Sequence, residues 1–281
     1  MNKLFHNLIR IVIVALLSET VFLNAAPSND SDSHDQADTV IANHFVLYMR
    51  AEQGDKNAQF LLACNYSENG GEQNKEKAVQ WWHKAAEQGQ MIAQFDLGLS
   101  YAEGHGTKKD MTEAIKWLSL SADQGYAPAQ TVLGKCYAKG KGVPQDMNEA
   151  INLYKKAAKS SARAQCILGQ CYEKGDGVEI NKRKAVECYR VAAMQRNIEA
   201  HYYLGKCYYD GIGLKKNKEI AFKWFRMAAE KGLAEAQQEL ALCYEEGSGV
   251  EKDLAEAMKW YQKAAEQGNA EAKAALKRLG E

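Results

Sequence analysis

An alanine returns along this chain at Ala58, Ala93, Ala129, Ala164, Ala200, Ala236 and Ala272, at spacings of 35, 36, 35, 36, 36 and 36 residues. That period restricts the fold more than composition does. A unit of this length is one supersecondary element, too small to enclose its own core, and it becomes stable by stacking on copies of itself. Four residues after each alanine stands a leucine: Leu62, Leu97, Leu133, Leu168, Leu204, Leu240 and Leu276. A small residue follows in six units (Ala63, Gly98, Gly134, Gly169, Gly205, Ala241), then a tyrosine (Tyr66, Tyr101, Tyr137, Tyr172, Tyr208, Tyr244). At roughly 100° per residue, alanine, leucine and tyrosine share one face of an α-helix, with the small residue beside them where a second helix can approach.

This first helix of each unit stops at a glycine pair, such as Gly104 and Gly106 or Gly247 and Gly249. Glycine suits a left-handed C-cap. The pair follows no strand and precedes no Gly-Lys-Ser/Thr, so it reads as a turn and not as a phosphate loop. A row of capping residues comes next: Asn74, Asp110, Asp146, Asn181, Asn217 and Asp253. Glu113, Glu149 and Glu256, three residues further on, complete a capping-box pattern. The second helix carries Trp81, Trp117, Leu153, Cys188, Trp224 and Trp260, each followed by Trp82, Leu118, Tyr154, Tyr189, Phe225 or Tyr261. These are its expected core, Trp224 included. Long Val/Ile/Thr alternations are absent, and three prolines stand beside 22 glycines. The chain therefore reads as all-α, built of helices joined by glycine turns.

The unit "AQQELALCYEEGSGVEKDLAEAMKWYQKAAEQG", Ala236 to Gly268, shows the whole pattern. It resembles the Sel-one-like repeat family, a branch of the tetratricopeptide superfamily. The resemblance covers Asp38 to Glu281, with six complete units between a second-helix fragment (Asp38 to Gln53) and a first-helix fragment (Ala270 to Gly280). It departs locally: "NGGEQN" is one turn residue short, and Lys159-Ser160-Ser161 replaces the Glu-x-Gly junction. What it implies is a right-handed α/α solenoid of stacked helix hairpins whose first helices line a concave groove. It also implies a non-catalytic scaffold or adaptor that holds a protein or peptide there. Because some secreted relatives act on β-lactams, it admits a cell-wall or β-lactam-related hydrolase as the alternative, which no residue of this chain supports. Cysteine-rich secreted members pair cysteines at helix ends in every repeat, a placement this chain lacks.

Residues 1–25 read as a signal peptide, with Lys3 and Arg10 before the apolar run Ile11 to Leu17 and a cleavage site after Ala25. Ser18, Glu19 and Thr20 break the run well short of the roughly 20 apolar residues of a membrane span. Export to the periplasm or the exterior is expected, without membrane insertion after cleavage; an N-terminal anchor is the other reading. Residues 26–37 are polar and acidic and read as a flexible linker before the solenoid at 38–281.

Lys plus Arg equals Asp plus Glu at 36 each, so no global field recruits nucleic acid. The six histidines are scattered, without an i, i+4 pair or a Cys-x-x-Cys, and neither a metal site nor a cofactor is expected. His201 reads as a surface or junction residue. No Ser-x-x-Lys or Gly-x-Ser-x-Gly is present.

Counted from the opening alanine, positions −1, +2, +6, +9 and +10 of each first helix should face the groove. They supply Phe60, Phe95, Leu99 and Ala102 at one end, and Tyr202, Lys206 and Tyr209 toward the other. Lys135, Lys139 and Lys174 lie between, and Glu235, Glu245 and Glu246 near the C-terminus, the last two read as a solvated pair. The aromatic rings are the expected anchors for a protein or peptide ligand, with Tyr202 and Tyr209 clamping it and Lys206 beside them. Cys136, Cys171, Cys207 and Cys243 share one core position and read as small buried apolar residues. Cys188 could meet Cys171 across its own hairpin, which leaves one disulfide open to test.

Overall fold

The computed structural model describes residues 44–280. The expected signal peptide, the linker and the start of the 38–281 region lie outside the described residues. Residues 44–52 are helical. Arg50–Glu281 is one unit, and every contact below belongs to it.

Six helix hairpins and a last single helix follow one another. They are α1 (Lys56–Glu68) with α2 (Glu72–Glu87), α3 (Met91–Glu103) with α4 (Met111–Asp123), and α5 (Ala127–Lys139) with α6 (Met147–Ala157). Then come α7 (Ala162–Lys174) with α8 (Lys182–Met194), α9 (Ile198–Asp210) with α10 (Lys218–Glu230), α11 (Ala234–Glu246) with α12 (Leu254–Glu266), and α13 (Ala270–Gly280). Each helix packs chiefly on the one before and the one after it. Among the described residues there is no strand. The fold is the α/α solenoid the period calls for.

The small residue of each first helix is where its partner helix lies. A Cβ added to Gly169 would come within 2.5 Å of Tyr189, and one added to Gly205 within 2.5 Å of Phe225. The two turn glycines do different jobs. Gly104, Gly140, Gly175, Gly211 and Gly247 are left-handed C-caps. The second glycine rests on the first turn of the preceding hairpin's second helix: a Cβ on Gly249 would stand 2.1 Å from the Lys218 carbonyl. Stacking of neighbouring hairpins thus depends on a missing side chain.

Three expectations need correction. Asn74 caps nothing: α2 begins at Glu72 behind Gly71, because the shortened turn brings the helix start forward. Asp110, Asp146, Asn181, Asn217 and Asp253 do cap their helices. The capping box is only half formed. The Asp110 N–H donates to the Tyr101 carbonyl at 2.9 Å, while the Glu113 carboxylate accepts from Trp117 Nε1 at 3.1 Å. Lastly, Trp224 is half-buried and lies against the His201 ring at 5.4 Å, whereas its neighbour Phe225 is wholly buried. In the earlier units Trp81, Trp117 and Leu153 are buried as expected; in the later ones Cys188, Trp224 and Trp260 are half-buried and the next residue, about 100° round the helix, fills the core.

One recurring residue went unread in the sequence. The residue after each opening alanine is Gln59, Gln94, Gln130, Gln165 or Gln237, with His201 in the remaining complete unit. Each amide donates to the carbonyl of an alanine near the end of the preceding helix, Gln94 to Ala86 at 3.1 Å and Gln237 to Ala229 at 3.2 Å. His201 Nε2 stands 3.2 Å from the Ala193 carbonyl in the same way. A helix's last carbonyls have no partner within it, and here a buried side chain of the next repeat supplies one. His201 is accordingly a buried junction residue.

Candidate functional site

Two clefts along the first helices are lined in part by the positions expected to face inward. The larger, about 720 Å³, runs between α5, α7 and the start of α9. Lys135, Lys139, Arg163 and Lys174 surround it, and Asp176 and Glu199 stand at its lining too. Its accessible apolar lining includes Ala138, Met147 and Ile167, with Tyr154 and Cys166 buried behind them. Lys135 is half-buried, and burial first, then repulsion from Arg163 and Lys139, holds its ammonium below the usual lysine range.

The smaller cleft, about 390 Å³, lies between α1 and α3. It takes Cys64, Glu68, Asp96, Leu99 and Glu103 from those helices, with Trp82 behind them. Burial pushes the Asp96 carboxyl up to about 6. The indole N–H of Trp82 is buried without an acceptor. Among the described residues, no cluster of three His, Cys, Asp or Glu side chains could hold a metal ion.

The expected anchors are distributed unevenly. Tyr202, Lys206 and Tyr209 share α9; both rings pack on Phe225 of the same hairpin, and Lys206 and Tyr209 reach the next repeat. The rings of Tyr202 and Tyr209 lie 6.1 and 6.2 Å from that of Phe225. Lys206 Nζ stands 3.4 Å from Glu239 and 3.5 Å from Asp210, and the Tyr209 hydroxyl donates to Glu246 at 3.0 Å. Burial, and then the nearby Glu239, push the Tyr202 hydroxyl up to about 12. Leu99 lines the smaller cleft. Phe95 packs edge-on against Tyr126 at 5.3 Å, at the joint with the next hairpin, and Phe60 is half-buried on α1.

Of the Glu245–Glu246 pair, Glu246 is exposed as expected and Glu245 is half-buried and bonded. Glu245 accepts from the Tyr261 hydroxyl at 2.8 Å and pairs with Arg278 at 2.7 Å. These bonds hold its carboxyl below the usual glutamate range against the opposing effect of burial. All seven cysteines carry free thiols, Cys171 and Cys188 among them. Cys136, Cys171, Cys207 and Cys243 are buried, and burial pushes the thiols of Cys171, Cys207 and Cys243 up to about 11 or 12. Groups held that far above neutral pH are packing residues and poor nucleophiles.

Stacked hairpins with open clefts along their first helices define a tetratricopeptide-like α/α solenoid, an architecture that generally serves protein–protein contact. The chain belongs to the Sel1 repeat family, whose model matches residues 56–90, 92–126, 127–161, 162–197, 198–233 and 234–269. Among solved structures it is similar to a protective antigen of uropathogenic Escherichia coli displaying an SLR fold, with 33% identity over 83% of this chain and a TM-score of 0.75. The chain spans only 50% of that antigen. It is also similar to a Sel1 repeat protein from Oxalobacter formigenes, with 35% identity over 75% of this chain and 86% of the other, at a TM-score of 0.71. No curated protein gives a significant match.

Proposed function

We propose that this chain is a non-catalytic scaffold that captures a segment of a partner protein along its first helices, outside the cytoplasm. The observation that carries this reading is the larger cleft, which combines an apolar lining with charged groups at its edge. Apolar contact supplies binding energy and charge sets orientation. Leu99 and Phe60 continue the same inner positions toward the N-terminus, whereas Lys206 and Tyr209 are bonded at the joint with α11 and Phe95 packs on Tyr126.

The test is a pull-down followed by mass spectrometry, repeated with two variants. Gln170→Trp fills the larger cleft, and Lys156→Glu alters the exposed side of α6. The partner should be lost with the first and kept with the second; the reverse pattern moves the site to the outer surface. Nitrocefin turnover by the purified chain would replace the scaffold reading with the hydrolase. Export predicts an N-terminus at Ala26, readable by sequencing the protein recovered outside the cytoplasm.

A further inference from the structure

The inward-facing cations fall into two sets. Lys206 is neutralised within the fold by Asp210 and Glu239. Lys135, Lys139, Arg163 and Lys174 are not: none has a carboxylate within 4.0 Å among the described residues. All four line one cleft, against only Asp176 and Glu199, so four positive charges less two negative ones leave a local excess of two. The cluster is self-repelling in the free protein: Lys135 is half-buried, and burial with repulsion from Arg163 and Lys139 outweighs the attraction of Glu199. Removing groups from water strengthens such repulsion. Nothing in the packing of α5 and α7 needs this clustering, because the buried residues of both helices are uncharged.

We propose that this cleft docks an acidic segment of the partner protein, one in which carboxylate side chains flank an apolar residue. The inference rests on the scaffold reading and narrows it to a partner class. Carboxylates would meet Lys139, Arg163 and Lys174 at the rim and Lys135 deeper in. The apolar residue would lie on Ile167 and Ala138, which are half-buried and line the same space. The Gln170 amide, without a partner among the described residues, is available to an extended main chain. A nucleic acid fits less well. It carries a phosphate at every step, which Asp176 and Glu199 oppose, and the cleft's one aromatic ring, Tyr154, is buried and offers no face for a base.

The experiment uses the full chain and three fluorescein-labelled peptides: glutamates flanking two leucines, and the same peptide with glutamine or lysine in place of glutamate. A single-stranded oligonucleotide of matching charge is the fourth probe, and all are followed by fluorescence anisotropy. The glutamate peptide should bind roughly tenfold tighter than the other two peptides at about 50 mM salt, and the gap should narrow as salt screens the charges. Lys139→Glu with Lys174→Glu, both exposed, should weaken it roughly tenfold, since reversal removes two attractions and adds two repulsions. Lys156→Glu should leave it unchanged. Circular dichroism checks that the reversed chain folds, and Lys139→Gln, with a smaller loss of about threefold, gives the same reading if it does not.

Equal binding of the three peptides, or tighter binding of the oligonucleotide, overturns the proposal. If the lysine or glutamine peptide alone binds and Gln170→Trp abolishes it, the groove stands and the acidic partner falls. If no peptide is held at any salt, both fall.

Discussion

The middle of the groove and its C-terminal third use equivalent helix positions for opposite purposes. Position +6 holds Lys135 on α5 and Lys206 on α9. On α9 the lysine joins two carboxylates, one of them across the joint on α11, and Tyr209 likewise bonds Glu246 on α11. On α5 the lysine faces other cations and an open cleft. Side chains facing inward can serve either the stacking of repeats or an incoming ligand. Across α9 and α11 they serve stacking; across α5 and α7 they are left free.

The largest expected effect tests the C-terminal joint. Phe225→Ala should cost about 3–5 kcal/mol, since it empties the space beneath Tyr202 and Tyr209, while half-buried Trp224→Ala should cost about 1–2 kcal/mol. Urea unfolding of the two variants decides the matter, and a costlier Trp224 variant would return the core to the tryptophan row.

Asp96 brings in the N-terminal cleft. Its carboxyl titrates at 3.8 in the unfolded chain and at about 6 in the fold, so between those values the native state holds the extra proton. Ionisation therefore costs stability above pH 6, and that cost disappears as the pH falls toward 4. Asp96→Asn should gain about 1–2 kcal/mol at neutral pH and lose the gain in acid. An equal gain at both pH values would mean that the charge is not the cause.

Tyr209→Phe removes the hydroxyl's bonds with Glu246 and Ser248 and should cost about 1 kcal/mol. A melting temperature unchanged from the parent would show that the hydroxyl contributes nothing to the joint and that the ring is free for a ligand.

The smallest effect is the most direct comparison. Lys206→Met should destabilise by about 0.5 kcal/mol, and Lys135→Met should stabilise by a similar amount, both discounted for solvent exposure. The signs follow from the neighbours. Burial opposes the Lys206 charge, but Glu239 and Asp210 outweigh it and raise its pKa, so its favourable contribution is complete at pH 7 and fades only in strong alkali. Burial and two cations lower the pKa of Lys135, so its charge is a cost throughout the range below that value. Variants that shift in the same direction would erase the distinction between the two regions.

Much of the fold could be read in advance because its causes are local. The alanine, leucine and small-residue rows fall on one helical face, and the small residue proved to be the seat of the partner helix. Glycine at the helix end and Asp or Asn a few residues later act within a turn or two of their own positions. The capping role of Asn74 was misplaced because a one-residue deletion moved the start of α2, and a residue row cannot register that. The buried glutamine row was visible as a polar residue repeated beside the core alanine, yet its purpose lies in a carbonyl eight residues back, across a turn.

The candidate site was legible as a set of positions and not as a set of roles. Counting from the alanine located Lys135, Lys139 and Lys174 at the larger cleft, since position along a helix determines which way a side chain points, but it placed the aromatic anchors elsewhere. It did not separate Lys206 from Lys135, for their difference lies with neighbours distant in sequence. Glu239 is 33 residues from Lys206, and Glu246 is 37 from Tyr209.

Period, turn chemistry and apolar spacing were enough to determine a stack of helical hairpins, because each of those signals acts through bonds made close along the chain. Only the packed molecule decided that Phe225 and not Trp224 fills the core, that Glu245 and Glu246 are bonded, and that one group of lysines is neutralised while another is not. Those outcomes depend on which side chains of one repeat meet those of the next, and electrostatic and packing energies fall off so steeply with distance that ångström placement sets their size and sign.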